Sequence, residues 1–208
     1  MKGQDIGLLL ALGCLQMRET GVYPDYEPGS WEDWNRDEAE NSSQVRESAA
    51  IYNQYAVRAL AQLTGISKSQ VNLSLQRSLL SGLARLDRKA QVPRSNVKVL
   101  KEFIVYGLPY VFPVKMGAVT RGIVTSLAAP VLQSGLHSAG DFPPVWSDAS
   151  GNTKGQAVEP LFKSVSYAVK QEPELYALLA LVDAIRIGQS RERNLAIEIL
   201  NKHLKLVQ

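Results

Sequence analysis

Helical periodicity dominates the pattern of hydrophobic and polar positions along this chain. Residues 4–15 are apolar at most positions, which predicts a buried first helix. Over residues 43–64 apolar side chains recur at intervals of three and four, which predicts a second helix that ends at Gly65. Ser67 is a typical N-cap residue, so a third helix is predicted to follow almost at once and to end near Gly82.

The pattern changes after the third helix. Residues 83–88 alternate in part between apolar and polar side chains, and residues 89–95 are polar and contain Pro93. This combination predicts a short β-hairpin with a basic tip. Asn96 then has the character of a cap for a further helix, which is predicted to end at Gly107.

Only parts of the C-terminal half have a clear pattern. Pro173 is suited to the first turn of a strongly apolar helix that ends near Gly188, and a last helix is predicted over residues 191–207. This helix pair fits either a domain core or a dimer interface. Residues 142–155 are predicted to be loop, and Thr120-Arg121-Gly122 fits a turn or a functional loop.

The composition is that of a globular protein. With 208 residues, 45% of them hydrophobic, the chain can form one compact domain or two small ones. Its apolar runs are too short to cross a bilayer, so we expect no integral membrane protein. Asp5 lies where an export signal would carry positive charge, so residues 4–15 are interpreted as a core helix.

The single cysteine and the two histidines limit the cellular compartment that is expected and the metal sites that the chain could form. Cys14 is the single cysteine and cannot form an internal disulfide, which favours a cytoplasmic protein. It fits an inert core position, with redox sensing as the alternative. With only His137 and His203 beside it, we expect no metal centre and no cofactor.

Charge is distributed unevenly although the net charge is only +3. Residues 1–66 hold five basic and ten acidic side chains, a net charge of −5. Residues 67–125 hold ten basic and two acidic side chains, a net charge of +8, and the remainder is neutral. A basic block of this kind is typical of polyanion binding, and a merely solvated basic face is the alternative.

The segment 19–41 is interpreted as an acidic insertion. It is rich in Asp, Glu, Gly and Pro, which is loop composition, and it carries Trp31 and Trp34. The two tryptophans fit either local packing against the body of the protein or a surface that binds a protein partner.

A helix, a three-residue turn centred on glycine, a second helix and a basic hairpin form the layout of a winged helix-turn-helix. Ala61 lies four positions before Gly65, where a small residue lets the two helices approach closely. Ile66 and Val71 are apolar as the motif requires, whereas Ser74 occupies a position where a larger apolar side chain is common.

The stretch from Ala59 to Val71, continuing to Leu80-Ser81-Gly82-Leu83, resembles winged helix-turn-helix transcriptional regulators of the MarR-like type. The resemblance covers about residues 50–95. It implies a mainly α fold with a small β-hairpin wing and a DNA-binding domain, which we expect over residues 1–108. The acidic insertion at 19–41 and the long C-terminal region depart from this family; for residues 109–208 we expect a domain with long loops and a helical pair that serves dimerisation or effector binding. Double-stranded DNA is then the expected partner. The protein is expected to act as a homodimer and as a repressor.

The resemblance makes the segment after Ser67 the recognition helix, with Val71, Leu75 and Leu79 facing the core. Its outward amides are suited to base edges, and its cations to guanine or phosphate. Basic residues of the hairpin are expected at the backbone or the minor groove. The predicted DNA-binding residues are Ser67, Lys68, Ser69, Gln70, Asn72, Gln76, Arg77, Arg85, Arg88, Lys89 and Arg94.

No catalytic motif is present in the sequence. It contains no phosphate loop, no Gly-x-Ser-x-Gly and no HExxH, so we expect no enzyme. Asp183 and Arg186 fit a buried charged cluster or, more simply, an i, i+3 ion pair on one helix. The alternative to a DNA-binding regulator is a protein-interaction module, such as the antitoxin or adaptor component of a prokaryotic defence system, which docks its partner through the 19–41 insertion.

Overall fold

The computed structural model describes residues 1–21, 31–34, 52–133 and 142–205. The first helix, α1, spans Gly3–Thr20 and is longer than the predicted segment. It is apolar on nearly every side and is buried from Asp5 to Leu15. Gly21 ends α1 in the left-handed conformation, with its N–H bonded to the Arg18 carbonyl at 3.3 Å.

The helix-turn-helix segment is shorter at its start than predicted. Helix α2 spans Val57–Thr64 and α3 spans Lys68–Leu80, joined by three residues as predicted. A 3₁₀ turn at Tyr52–Tyr55 and the extended Ala56 precede α2, so the predicted helix over residues 43–64 was wrong in its described first part. Residues 43–51 lie outside the described segments.

The predicted hairpin and the helix after it are confirmed. Strands β1 (Ala84–Leu86) and β2 (Pro93–Ser95) pair antiparallel. Helix α4 spans Val97–Tyr106, as predicted, and a short helix α5 follows at Leu108–Val111.

The segments predicted to be loops in the C-terminal half contain a three-stranded sheet. Strand β3 (Met116–Val124) pairs antiparallel with β4 (Pro144–Ser147) and β5 (Thr153–Val158), and β4 and β5 pair in parallel. The interpretation of 120–122 as a turn or functional loop was therefore wrong, and that of 142–155 as loop was wrong at 144–147 and 153–155, whereas 142–143 and 148–152 lie outside the strands. A short helix α6 (Pro130–Gln133) lies between β3 and β4.

The last two helices are largely as predicted, and a short helix before them, α7, was not predicted. Helix α7 spans Val165–Gln171, α8 spans Pro173–Ile187 and α9 spans Ser190–Lys205. All eleven residues of α8 from Leu175 to Ile185 are buried within the single chain, because α8 packs against α1, α4 and α9. Helix α8 is therefore a core element and not a dimer interface.

The protein is mainly helical, as predicted, with one small hairpin and one three-stranded sheet among its described residues. One cluster of buried apolar side chains includes residues of α1, α4 and α8. The core therefore extends across the predicted boundary at residue 108, and the C-terminal part supports the helix-turn-helix directly.

Candidate nucleic-acid interface

The turn between α2 and α3 is built by one glycine and one serine. Gly65 has φ = +68°, the left-handed conformation, and its N–H bonds to the Ala61 carbonyl at 2.9 Å. The Ser67 side chain accepts a hydrogen bond from the Gln70 N–H at 3.4 Å and caps α3. Ile66 between them is buried, which fixes the turn on the core.

One side of helix α3 is polar and exposed to solvent, and only a few residues on the opposite side are buried in the core. Val71, Ser74 and Ser78 are buried, whereas Leu75 and Leu79, predicted to face the core, are half-buried against it. We call the following residues the exposed face of α3: Ser67, Lys68, Ser69, Asn72, Leu73 and Gln76.

A buried carboxylate of α1 holds the core side of α3. Asp5 accepts hydrogen bonds from the Ser74 hydroxyl at 2.5 Å and from Arg77 Nη2 and Nε at 2.5 and 2.8 Å. Burial by itself raises the pKa of Asp5, but the hydrogen bonds from Arg77, Ser74 and the Lys2 backbone outweigh burial and lower that pKa below its usual value. Asp5 thereby stays ionised and fixes α3 on α1.

The hairpin presents three exposed cations. Arg85 lies on β1, and Arg88 and Lys89 lie at the tip. Asp87 Oδ1 accepts hydrogen bonds from the backbone N–H groups of Lys89 and Ala90 at 2.8 and 3.0 Å, and these bonds lower its pKa. The one carboxylate of the hairpin is therefore engaged in shaping the turn. We call Arg85, Arg88 and Lys89 the hairpin cations.

An open groove of about 720 Å³ separates the hairpin from the C-terminal end of α1. Arg94 lies at this groove and pairs with Glu19 at 2.5 Å, with its guanidinium 4.7 Å from the centre of the Tyr55 ring. The Tyr55 hydroxyl and Arg94 Nη1 are 2.6 Å apart. Arg94 thus ties β2 to α1 and to the segment before α2.

The structure separates the eleven predicted DNA-binding residues into two groups. Gln70 is bonded to Gln4 at 3.1 Å, and Arg77 and Arg94 are held in the ion pairs above, so three of them have intramolecular partners. The other eight are exposed on α3, at its N-cap or on the hairpin, and Ser67 among them caps α3: Ser67, Lys68, Ser69, Asn72, Gln76, Arg85, Arg88 and Lys89.

The tryptophans of the acidic segment pack against the body of the protein. Trp34 is buried and forms an isolated β-bridge with Gly151. Its ring meets the Tyr176 ring edge to face, with centroids 5.8 Å apart. Trp31 is half-buried against the same core. Most of the 19–41 insertion lies outside the described segments.

The ion pair predicted on the apolar C-terminal helix is confirmed and is buried. Arg186 Nη1 lies 2.6 Å from Asp183 Oδ1, and the other carboxylate oxygen accepts from Trp146 Nε1 at 2.7 Å and from Thr125 at 3.2 Å. Arg186 also donates to the Phe112 carbonyl at 3.0 Å. These contacts join α8 to the sheet and to the end of α5, which is a structural role.

Two further reactive groups of the described residues are Cys14 and His203, and His137 lies outside those residues. Within the described residues there is no cluster of three or more His, Cys, Asp or Glu side chains that could hold a metal ion. Cys14 is buried, and burial raises the pKa of its thiol well above the usual value. His203 Nδ1 lies 2.7 Å from Glu174 Oε1, which fastens α9 to α8.

Sequence interpretation missed the two partners on α1 that hold α3, Gln4 and Asp5. An acidic residue inside an apolar, buried helix was the signal that was present, because a buried carboxylate requires donors. Neither the identity of those donors nor their position on α3 follows from spacing.

Comparison with known proteins gave no further guidance: no family model, no curated protein and no solved structure matches this chain. Among the described helices, none combines the length and the apolar character required to cross a membrane.

Proposed function

We propose that this protein is a sequence-specific double-stranded DNA-binding regulator of transcription that acts as a repressor. The observation that carries the proposal is the exposed face of α3, whose polar side chains point away from the core, together with the three exposed cations on the hairpin that follows α3 in the chain. The arrangement of helix, turn, helix and hairpin supports a winged helix-turn-helix of the MarR-like type.

The exposed face of α3 carries groups that discriminate bases. Asn72 and Gln76 are four residues apart and therefore lie on the same side of the helix. Each amide can pair bidentately with adenine in the major groove. Leu73 between them is 44% exposed, and an apolar side chain at this place suits the methyl group of thymine.

Lys68 and the hairpin cations supply an electrostatic attraction to DNA phosphates that does not depend on base sequence. Lys68, Arg85, Arg88 and Lys89 are exposed and have no side-chain partner among the described residues. A phosphate that approaches them displaces no ion pair of the described residues, so their charge supports counterion release.

The support behind α3 favours binding without rearrangement. The Asp5–Arg77 pair, the Gln4–Gln70 hydrogen bond and the buried Ile66 hold α3 at three points. A recognition helix fixed in advance loses little conformational entropy when it binds. The alternative of an antitoxin or adaptor relied on the 19–41 insertion with Trp31 and Trp34. Of these two tryptophans, Trp34 is buried and Trp31 is half-buried, and most of the insertion lies outside the described residues.

The proposal is tested by selecting bound fragments from random duplex DNA with the full-length protein. Enrichment of a defined sequence supports it, and a palindrome in that sequence indicates two copies of the chain on one site. Recovery of no enriched sequence, with no retention of duplex DNA at low salt, contradicts it.

Asn72→Ala and Gln76→Ala are expected to weaken binding to the selected site by about 1–3 kcal/mol each and to relax the preference at one base position. The weakening arises because a bidentate amide contact to a base is removed. Asn152→Ala is the matched control, since Asn152 is an exposed asparagine after β4. The measurement is the dissociation constant on the selected site and on its single-base variants.

A further inference from the structure

A second groove, of about 420 Å³, lies beside the N-terminal end of α3. Unlike the groove under the hairpin, it is formed jointly by the helix-turn-helix and by the segment that precedes α7. Six of its lining residues are polar or charged: Lys2, Gln4, Ser67, Gln70, Lys163 and Ser164.

The segment before α7 is fixed firmly against the turn. The Ser164 hydroxyl donates to the Thr64 carbonyl at 2.8 Å. Leu161 and Phe162 are buried, and Leu161 lies so close to α1 that a Cβ atom on Gly3 would be 1.9 Å from its carbonyl oxygen. Lys163 therefore has a fixed backbone position next to the exposed face of α3.

The groove has the charge of a site for a polyanion. Lys2 and Lys163 are exposed, and neither ammonium group has a partner among the described residues. No acidic side chain lies among the described residues that line the groove. The nearest carboxylate along α1, Asp5, is buried and already paired with Arg77.

We propose that Lys163 and Lys2 bind the phosphate backbone of duplex DNA, so that the segment before α7 is part of the DNA interface. This inference rests on the proposed function. A helix that lies in the major groove is bordered by both phosphate backbones, and elements beside the helix commonly contact them to fix its register. Lys163 and Lys2 line a groove at the N-terminal end of α3, whereas the hairpin cations follow the C-terminal end of α3 in the chain.

This assignment differs from the winged helix-turn-helix resemblance, which ends near residue 95. It places a phosphate contact about 70 residues beyond that point, on a segment that the fold brings back to the turn. Because the contacts are to phosphate, they contribute affinity and register and no base preference.

The test compares full-length Lys163→Gln, Lys2→Gln and the double variant with the wild-type protein on a duplex that the wild type binds. Each substitution removes one phosphate contact and is expected to lower the slope of log affinity against log salt by about 0.9, so that affinity falls about 3.5-fold less between 50 and 200 mM salt. The weakening should be equal on specific and random duplexes. Lys154→Gln, an exposed lysine on β5 outside this groove, is the control and should keep the wild-type slope.

The outcomes separate this inference from the function on which it rests. If the wild type binds duplex DNA and the double variant keeps the same affinity and slope with unchanged thermal stability, the groove is not part of the interface and the inference is overturned. If the wild type does not bind duplex DNA at all, the proposed function fails and the inference fails with it. A lower slope for Lys163→Gln but not for Lys154→Gln supports the inference.

Discussion

Asp5 joins two helices through a single carboxylate. It is fully buried, and its oxygens accept from the Ser74 hydroxyl and from two nitrogens of Arg77. A buried charge is tolerated only when it is paired and hydrogen-bonded, and here both conditions are met. Because Ser74 and Arg77 lie on α3, this carboxylate of α1 is one of the contacts that fix the position of the proposed recognition helix.

Asp5→Asn is expected to lower the free energy of unfolding by about 3 kcal/mol near neutral pH, because Arg77 is left without its ionic partner. The pKa of Asp5 is lower in the folded protein than its ordinary 3.8, so its stabilising effect is full above pH 4 and is lost as the pH falls through the folded-state pKa. Urea unfolding between pH 2 and 7 measures both effects.

Glu198→Gln is the control for this substitution, since the Glu198–Lys202 pair is exposed on α9. It should not change stability measurably. Equal stability of Asp5→Asn and wild type at neutral pH would show that the carboxylate does not hold α3.

At the residue scale the sequence predicted which side chains are polar and basic but not which of them are already engaged. Gln70, Arg77 and Arg94 have partners that are 66 to 75 residues away along the chain. Contacts at that distance depend on how α1 packs against α3 and β2, and no local spacing encodes this packing. Exposure of Lys68, Asn72 and Gln76, by contrast, follows directly from helical periodicity.

At the scale of elements, the turn between α2 and α3 is the junction on which the interface is built. Gly65 combines a left-handed conformation with a close approach to the C-terminal part. A Cβ atom at this position would lie 2.8 Å from both Ser164 Cβ and Tyr167 Cδ1. The turn is therefore shaped by its own dihedral angles and also by the segment packed on it.

Gly65→Ala should lower the free energy of unfolding through backbone strain and through crowding by the segment packed on the turn. Gly82→Ala should lower it through backbone strain alone. Gly82 also has a left-handed φ, +73°, but no atom lies within 4 Å of its added Cβ. Backbone strain of this kind costs about 1–2 kcal/mol, and crowding adds about 1–3 kcal/mol at Gly65 alone. Chemical denaturation of the two variants measures the difference, and equal destabilisation would contradict the close packing of residues 164–167 on the turn.

Elements with local signals could be predicted from the sequence, and elements with distant partners could not. Gly65, Ser67, Gly107, Pro173 and Gly188 are residue types that favour helix ends, and all five mark observed ends. Strand β3 carries apolar side chains at exposed positions and lacks alternation, and its partners lie more than 20 residues away. Without periodicity or a tight turn, nothing local indicates such a sheet.

At the scale of the whole molecule, the uneven charge is partly neutralised by the fold. Acidic residues of the first third pair with the basic block, as in Asp5–Arg77 and Glu19–Arg94. Cations that remain exposed without such partners include those of the α3 N-terminus and the hairpin. The fold thus leaves positive charge exposed at the start of α3 and on the hairpin, as the proposed function requires.

The salt dependence of duplex binding tests the central claim most directly. Wild-type protein, Lys68→Ala and Arg88→Ala would be titrated with one duplex at several salt concentrations. We expect a steep decrease of affinity with salt for the wild type and a slope lower by about one for each variant, since each removes one phosphate contact. Unchanged affinity and unchanged slope in both variants would contradict the claim.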